Sequence, residues 1–233
     1  MSETTTGEGR RAGSRVSRRT VLLGTTAAGL GAAGVAGYAA RDEPARLWWR
    51  LLGVDQPREK GAVDQPGAEW IAASGANWRR ADRPYDYTVD RVVIHVVQGS
   101  FQDAVRVFRD PGHRAAAHYV VRRDGRIAQM ARESDVAFHA GNRPYNERSI
   151  GIEHEGYVSR ASSFTDAMYR SSARLTAAIC ERYGIPRDRE HIVGHVQVPG
   201  TDHTDPGRHW DWDRYLRLVR AARPGPGSSP RAG

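Results

Sequence analysis

RVVIHVV, residues 91–97, is a short, largely apolar and β-branched run with one histidine set inside it. Runs of that length and composition, bounded by polar segments, are buried strands, so this one predicts a strand in the interior of a sheet. Downstream, HYVVRRDGRIAQM (118–130) has two strand-like halves around Asp124 and Gly125. A turn of that composition adopts positive φ readily, which predicts a β-hairpin. SIGIEHEG (149–156) alternates: Ile150 and Ile152 share one face of a strand, Glu153 and Glu155 the other. From Thr165 to Tyr183, the apolar residues Met168, Leu175 and Ile179 recur at helical spacing, with Thr165 as N-cap and Gly184 as the stop. HIVGHVQV (191–198) predicts another strand, and residues 210–222 a closing helix. Strands interleaved with helices predict an α/β (α+β) chain, a single domain with a central mixed β-sheet flanked by helices.

The 233 residues suffice for one domain with a core and tails. A hydrophobic share of 39% argues against wholesale disorder, and a single cysteine, Cys180, excludes an internal disulfide framework and an all-cysteine zinc site. Cys180 sits in the helical stretch, where it reads as a small buried apolar residue. The net charge is +8, and Lys60 is the only lysine, the other basic residues all being arginine. Residues 1–40 hold five of those arginines against two glutamates, +3 of the charge, leaving +5 for the rest. There Ser17, Arg18 and Arg19 precede the uncharged run TVLLGTTAAGLGAAGVAGYAA (20–40). This resembles a twin-arginine export signal, with Val21 where an aromatic is often found. The alternative, a transmembrane anchor, fits the run's five glycines and three threonines poorly. The resemblance implies a protein that is secreted or associated with the cell wall, without stable membrane insertion once the signal is removed.

Residues 41–86 read as a linker and N-terminal extension: RLWWRLLG (46–53) is compatible with a short amphipathic helix, VDQP occurs at Val54 and again at Val63, and Trp70, Ile71 and Trp78 are suited to pack on the main domain. The main domain is expected over 87–222, and the Pro-, Gly- and Ser-rich residues 223–233 form a disordered tail.

All nine histidines lie between His95 and His209. His95 is inside a strand, His195 ends another, and Asp205 follows in HTDPG (203–207). Two imidazoles and a carboxylate suit a hydrolytic zinc site that keeps one position for water. A histidine in a strand is more often a hydrogen-bonded core residue, so spacing alone leaves both readings open. The helical H-E-x-x-H arrangement and G-x-S-x-G are absent, and Cys180 lacks the local pattern of a catalytic thiol.

Five segments in order, VVIHVVQGS (92–100), AAHYVVRRDGRIAQM (116–130), FHAGN (138–142), SIGIEHEG (149–156) and GHVQVPGTDHTDPGRHWDW (194–212), resemble the zinc-dependent N-acetylmuramoyl-L-alanine amidases of the type-2 amidase and peptidoglycan-recognition family. The likeness spans roughly residues 87–220 and implies that family's fold. It implies Zn2+ held by His95, His195 and Asp205, with Glu153 as the catalytic carboxylate. Strand parity alone leaves Glu153 and Glu155 equivalent; the resemblance selects Glu153 and leaves Glu155 a structural role.

Where the family often carries a lysine that steadies the oxyanion, this chain has His203. A histidinium can donate a similar hydrogen bond, but its charge depends on pH near neutrality. His139 falls in the family's W-H-A-G segment, with Phe138 in place of Trp, and is the candidate substrate-binding residue, with a packing role as the alternative. His118 reads as structural, and Trp210 and Trp212 as anchors of the last helix. The implied reaction is hydrolysis of the amide between the lactyl group of N-acetylmuramic acid and L-alanine, with peptidoglycan or its muropeptide fragments as partner. The alternative is a recognition module that binds peptidoglycan without cutting it. Nucleic acid is not expected: there is no recognition motif, and an export signal sits badly with that partner.

Overall fold

The computed structural model describes residues 59–223. The export signal, the 46–53 helix, the first VDQP and the tail from residue 224 onward lie outside the described residues. Six strands make the main sheet: β1 (Glu69–Trp70), β3 (Arg91–Val96), β4 (Tyr119–Val121), β5 (Ile127–Gln129), β7 (Ser149–His154) and β8 (Ile192–Gly194). Their order is β1-β5-β4-β7-β3-β8. The hairpin β4/β5 is antiparallel and the other neighbours are parallel, so the sheet is mixed, as the sequence predicts. Gly125 turns the hairpin at φ 87°. A two-stranded antiparallel ribbon pairs β2 (Trp78–Arg79) with β6 (Val136–Ala137).

Alternation along β3 and β7 divides the residues between two faces. Val92, Ile94, Val96, Ile150 and Ile152 are buried against α3 (Asp166–Tyr183) and α4 (Trp212–Ala221), through Met168, Leu175, Ile179, Tyr215 and Leu216. Thr165 Oγ1 accepts from the N–H of Met168 at 3.2 Å, and Gly184 ends α3 at φ 67°, a left-handed cap that glycine adopts without a Cβ clash. Trp210 is buried among His154, Phe164, Tyr169 and Tyr215, which makes it an anchor for α4. Cys180 is also in this core, and burial pushes its thiol up to about 12, which removes it from thiolate chemistry.

Three features differ from the sequence expectation. α1 (Phe101–Arg109) and α2 (Arg143–Arg148) are too short for a strong periodic pattern, and their caps carry the signal instead. Ser100 and Asp103 form a reciprocal capping box on α1, and Asn142 Oδ1 accepts from the N–H of Tyr145 at the start of α2. α1 then covers the second face of the hairpin by burying Phe101, Ala104 and Phe108 with Val120, Ala128 and Met130. In HIVGHVQV only Ile192–Gly194 is strand; His195–Gln197 is a single 3-10 turn. Gln197 Oε1 accepts the N–H of Gly194 at 3.0 Å, which pairs a donor on the outer side of this edge strand and closes the turn. Finally, β1 lies within the extension and forms a sheet edge, where Ile71 and Trp78 pack beside α1's cluster.

Candidate active site

The sheet register assembles the site. His95 on β3 is the lateral partner of Glu153 on β7, and Ile94 that of Gly194 on β8, so the turn starting at His195 delivers its imidazole beside that of His95. These residues occupy the face opposite the helices, above a small cluster of Val93, Ala140, Val193 and Val198. Asp205 arrives from the loop before α4. Its backbone carbonyl accepts from the N–H of Val196 at 3.0 Å, and Oδ2 accepts from the N–H of Val96 at 3.3 Å. Gly194 makes room for that loop, since a Cβ there would lie 2.6 Å from Pro206 Cδ.

Three donor atoms converge. His95 Nδ1 lies 3.1 Å from His195 Nδ1 and 3.4 Å from Asp205 Oδ2, while His195 Nδ1 lies 3.3 Å from Asp205 Oδ1. Tetrahedral zinc with bonds of about 2.0–2.1 Å has donor-to-donor edges of about 3.3–3.4 Å, and one donor atom from each of the three residues lies within 4.8 Å of the others, a spacing compatible with such an ion. The donor chemistry fits as well. Burial lowers His95 despite its contact with Asp205, keeping the imidazole neutral. Burial alone would raise Asp205, but the adjacent imidazoles of His195 and His95 hold its carboxyl well below the usual carboxylate range. Among the described residues, these three are the cluster of metal-binding side chains.

Glu153 stands beside this triad with Oε2 buried and without a hydrogen-bond partner among the described residues. Burial, and then the charge of Asp205, push its carboxyl well above its ordinary range, the direction that suits a proton acceptor working near neutral pH. Glu155 serves the fold instead, because its carboxylate accepts the N–H groups of Phe101 (3.2 Å) and Arg123 (3.0 Å) and so ties α1 to the hairpin. His203 stacks on His195 with ring centroids 4.1 Å apart, its Nδ1 3.5 Å from Asp205 Oδ1. Its side chain is 60% exposed, so it covers the open side of the cluster. His139 lines the cleft, but both ring nitrogens are engaged within the protein, Nδ1 with His95 Nε2 at 3.0 Å and Nε2 with Ser149 Oγ at 3.2 Å. His118 is fully buried and its Nδ1 accepts from the N–H of Gly151 at 3.0 Å, a structural place. His154 faces the helices, bonded to the carbonyl of His95 and to Ser172.

The triad, Glu153 and His203 open into a cleft of about 1060 Å³. Arg79, Gln98, Phe108, Arg114 and Arg143 also line it, and sequence reasoning singled out none of them. Arginine is so common in this chain that its cleft residues carry no signal of their own, although Arg114 stands just before AAHYVV and Arg143 directly after FHAGN.

Comparison with known proteins agrees with this architecture. The family model for N-acetylmuramoyl-L-alanine amidase matches residues 85–208. N-acetylmuramoyl-L-alanine amidase A of Achromobacter lyticus is 35% identical over 176 residues, covering 68% of this chain and 96% of that protein. The 1,6-anhydro-N-acetylmuramyl-L-alanine amidase AmpD of Haemophilus influenzae is 41% identical over 114 residues, 46% of this chain and 60% of its own length. Among solved structures, a selenomethionine derivative of AmpD superposes with a TM-score of 0.57 at 29% identity, covering 70% of this chain and 99% of that one. The Escherichia coli amidase AmiD, in complex with anhydro-N-acetylmuramic acid-L-Ala-D-gamma-Glu-L-Lys, gives 0.50 at 26% identity, covering 69% and 66%.

Proposed function

The chain belongs to the N-acetylmuramoyl-L-alanine amidase family, and from that premise we propose that it is a zinc-dependent, exported enzyme that cleaves the amide between the lactyl group of N-acetylmuramic acid and the L-alanine of the stem peptide. The observation that carries the reading is one rung of the sheet: His95, Glu153 and the turn at His195 are laid side by side by register, with Asp205 bonded across them.

His95, His195 and the Asp205 carboxylate would hold the ion. Zinc in such a site supplies Lewis acidity that polarises a carbonyl and brings the pKa of water toward ~7. Glu153 Oε2, with no other partner among the described residues, accepts the proton of the attacking water and returns it to the leaving amine nitrogen as the C–N bond breaks. His203, on the open side, donates a hydrogen bond to the oxygen on which charge develops. His139 meets the substrate through ring carbons, its nitrogens being taken. Arg79, Arg114 and Arg143 at the cleft suit the free α-carboxylate that a γ-linked glutamate carries.

Within this reading residues 1–40 are the twin-arginine signal, 41–86 the linker and extension, 87–222 the amidase domain and 223–233 the tail, and the protein works outside the cytoplasm or on the wall. Among the described residues no helix is long and apolar enough to cross a membrane. The test is release of free stem peptide from purified peptidoglycan, measured with zinc content. Bound zinc without release would leave only a binding module; release unaffected by thorough chelation would refute the zinc assignment. Export is tested by loss of the extracellular protein when Arg18 and Arg19 are both changed to Lys.

A further inference from the structure

His139 ends a chain of hydrogen bonds whose direction is set from its far end. The Tyr145 carbonyl can only accept, and Ser149 Oγ lies 2.5 Å from it, so the single hydroxyl proton of Ser149 points there. Ser149 Oγ then receives a proton from its other neighbour, His139 Nε2, at 3.2 Å. With Nε2 carrying the hydrogen, a neutral His139 presents a bare Nδ1, and this faces His95 Nε2 at 3.0 Å. His95 must therefore carry its own hydrogen on Nε2. Its Nδ1 is left as a lone pair aimed at His195 and Asp205.

The surroundings hold His139 in place for this. Asn146 Oδ1 accepts the N–H groups of His139 (3.1 Å) and Ala140 (2.8 Å), which fixes the backbone of the FHAGN segment. Gly151 on β7 leaves the space the ring fills, since a Cβ there would fall 2.5 Å from His139 Cγ.

We propose that His139 is a positioning residue which, oriented by Ser149 and the Tyr145 carbonyl, locks His95 in the tautomer whose Nδ1 can take a metal ion. Ligating histidines are commonly held this way by the hydrogen bond of their second nitrogen, and losing such a partner weakens metal binding by about 10–100-fold. The inference rests on the metal reading of His95, His195 and Asp205 given above.

The experiment strips the full chain of metal and titrates it with Zn2+ against a chromogenic chelator, comparing wild type, His139→Ala, His139→Asn and Ser149→Ala, with folding followed by circular dichroism. Asparagine places its amide oxygen near the position of the histidine Nδ1, so it restores the acceptor without the ring. The expected result is a loss of about 10–100-fold in zinc affinity for His139→Ala, most of the affinity regained in His139→Asn, and an intermediate loss in Ser149→Ala. Wild-type affinity in His139→Ala, or an Asn variant as weak as the Ala variant, overturns the proposal. Should His139→Ala not fold, Ser149→Ala decides: weakened binding supports the relay and unchanged binding overturns it. A wild-type protein that takes up no zinc at all would refute the metal reading instead, so the two failures are distinguishable.

Discussion

Glu153→Gln separates what the carboxylate contributes to chemistry from what it costs the fold. The substitution keeps size and shape and removes the charge from an oxygen that is buried and partnerless among the described residues. As the general base, Glu153 is worth about 10²–10⁴ in rate, which at 1.36 kcal/mol per tenfold is about 2.7–5.4 kcal/mol of barrier. Stability should move the other way. Its carboxyl is raised in the folded protein by burial and by Asp205, so folding favours the protonated form. Below its ordinary value of 4.5 both folded and unfolded chains are neutral there and nothing is lost. As pH rises through the raised folded value, the native state alone resists ionisation and stability falls. Glutamine leaves an unpaired amide in the same place but escapes the cost of the buried charge, which is worth about 1.36 kcal/mol for each pH unit by which the folded value stands above the ordinary one. At 2–4 °C per kcal/mol for a chain of about this size, zinc-free Glu153→Gln should melt several degrees above zinc-free wild type at pH 7, with the gap closing toward pH 4. Release of stem peptide from peptidoglycan should drop by at least about 100-fold while zinc content is unchanged. Near-wild-type turnover would remove Glu153 from the mechanism, and equal melting temperatures at pH 7 would show that its carboxylate is not desolvated.

Other expectations follow from the same geometry. Chelation should abolish turnover in the wild type and added Zn2+ restore it, whereas Asp205→Asn, assayed alongside, should not recover with added zinc. His203→Lys should stay active, because an ammonium can donate to the same oxygen, whereas His203→Ala should lose turnover with zinc content unchanged; wild-type turnover in the Ala variant would remove His203 from oxyanion stabilisation. Gly151→Ala drives a Cβ against His139 Cγ at 2.5 Å. Overpacking of that kind costs about 1–3 kcal/mol, so a melt should show a lower Tm, and a zinc titration a weaker site.

Residues whose role follows from local pattern were legible in the sequence. The alternation Ile150, Ile152 against Glu153 needs only the two-residue period of a strand, and Thr165 and Gly184 bound α3 because capping is a local interaction. His95, His195 and Asp205 were legible as candidates by residue type, but their convergence depends on the pairing of β3 with both β7 and β8, which are distant in sequence and whose register no local window contains. His139 shows the limit most clearly. The motif resemblance suggests the substrate groove and the residue lines the cleft, yet its hydrogen bonds run to His95 and Ser149 and become visible only once β3 and β7 are aligned. α1 and the turn after Gly194 were missed because side-chain caps, rather than hydrophobic periodicity, set them.

The polar atoms around the site fall into two classes, and the division explains how a stable sheet carries a reactive cluster. Asp205 Oδ2 accepts the N–H of Val96, His95 Nε2 is paired with His139, and the His95 carbonyl is bonded to His154. Those bonds are made on folding and hold each group in one orientation. By contrast His95 Nδ1, His195 Nδ1 and the Asp205 carboxylate crowd within 3.1–3.4 Å of one another, and Glu153 Oε2 has no partner among the described residues. Lone pairs packed that closely are relieved by a cation, and a lone buried carboxylate by a proton. The fold therefore satisfies the bonds that aim His95 and Asp205 and leaves unmet those that a metal ion and a proton from water would meet, together with His195 Nε2, which is buried without a partner among the described residues. Filling the unmet set from within, by a mutation that gives Glu153 an internal partner, should stabilise the protein and slow it.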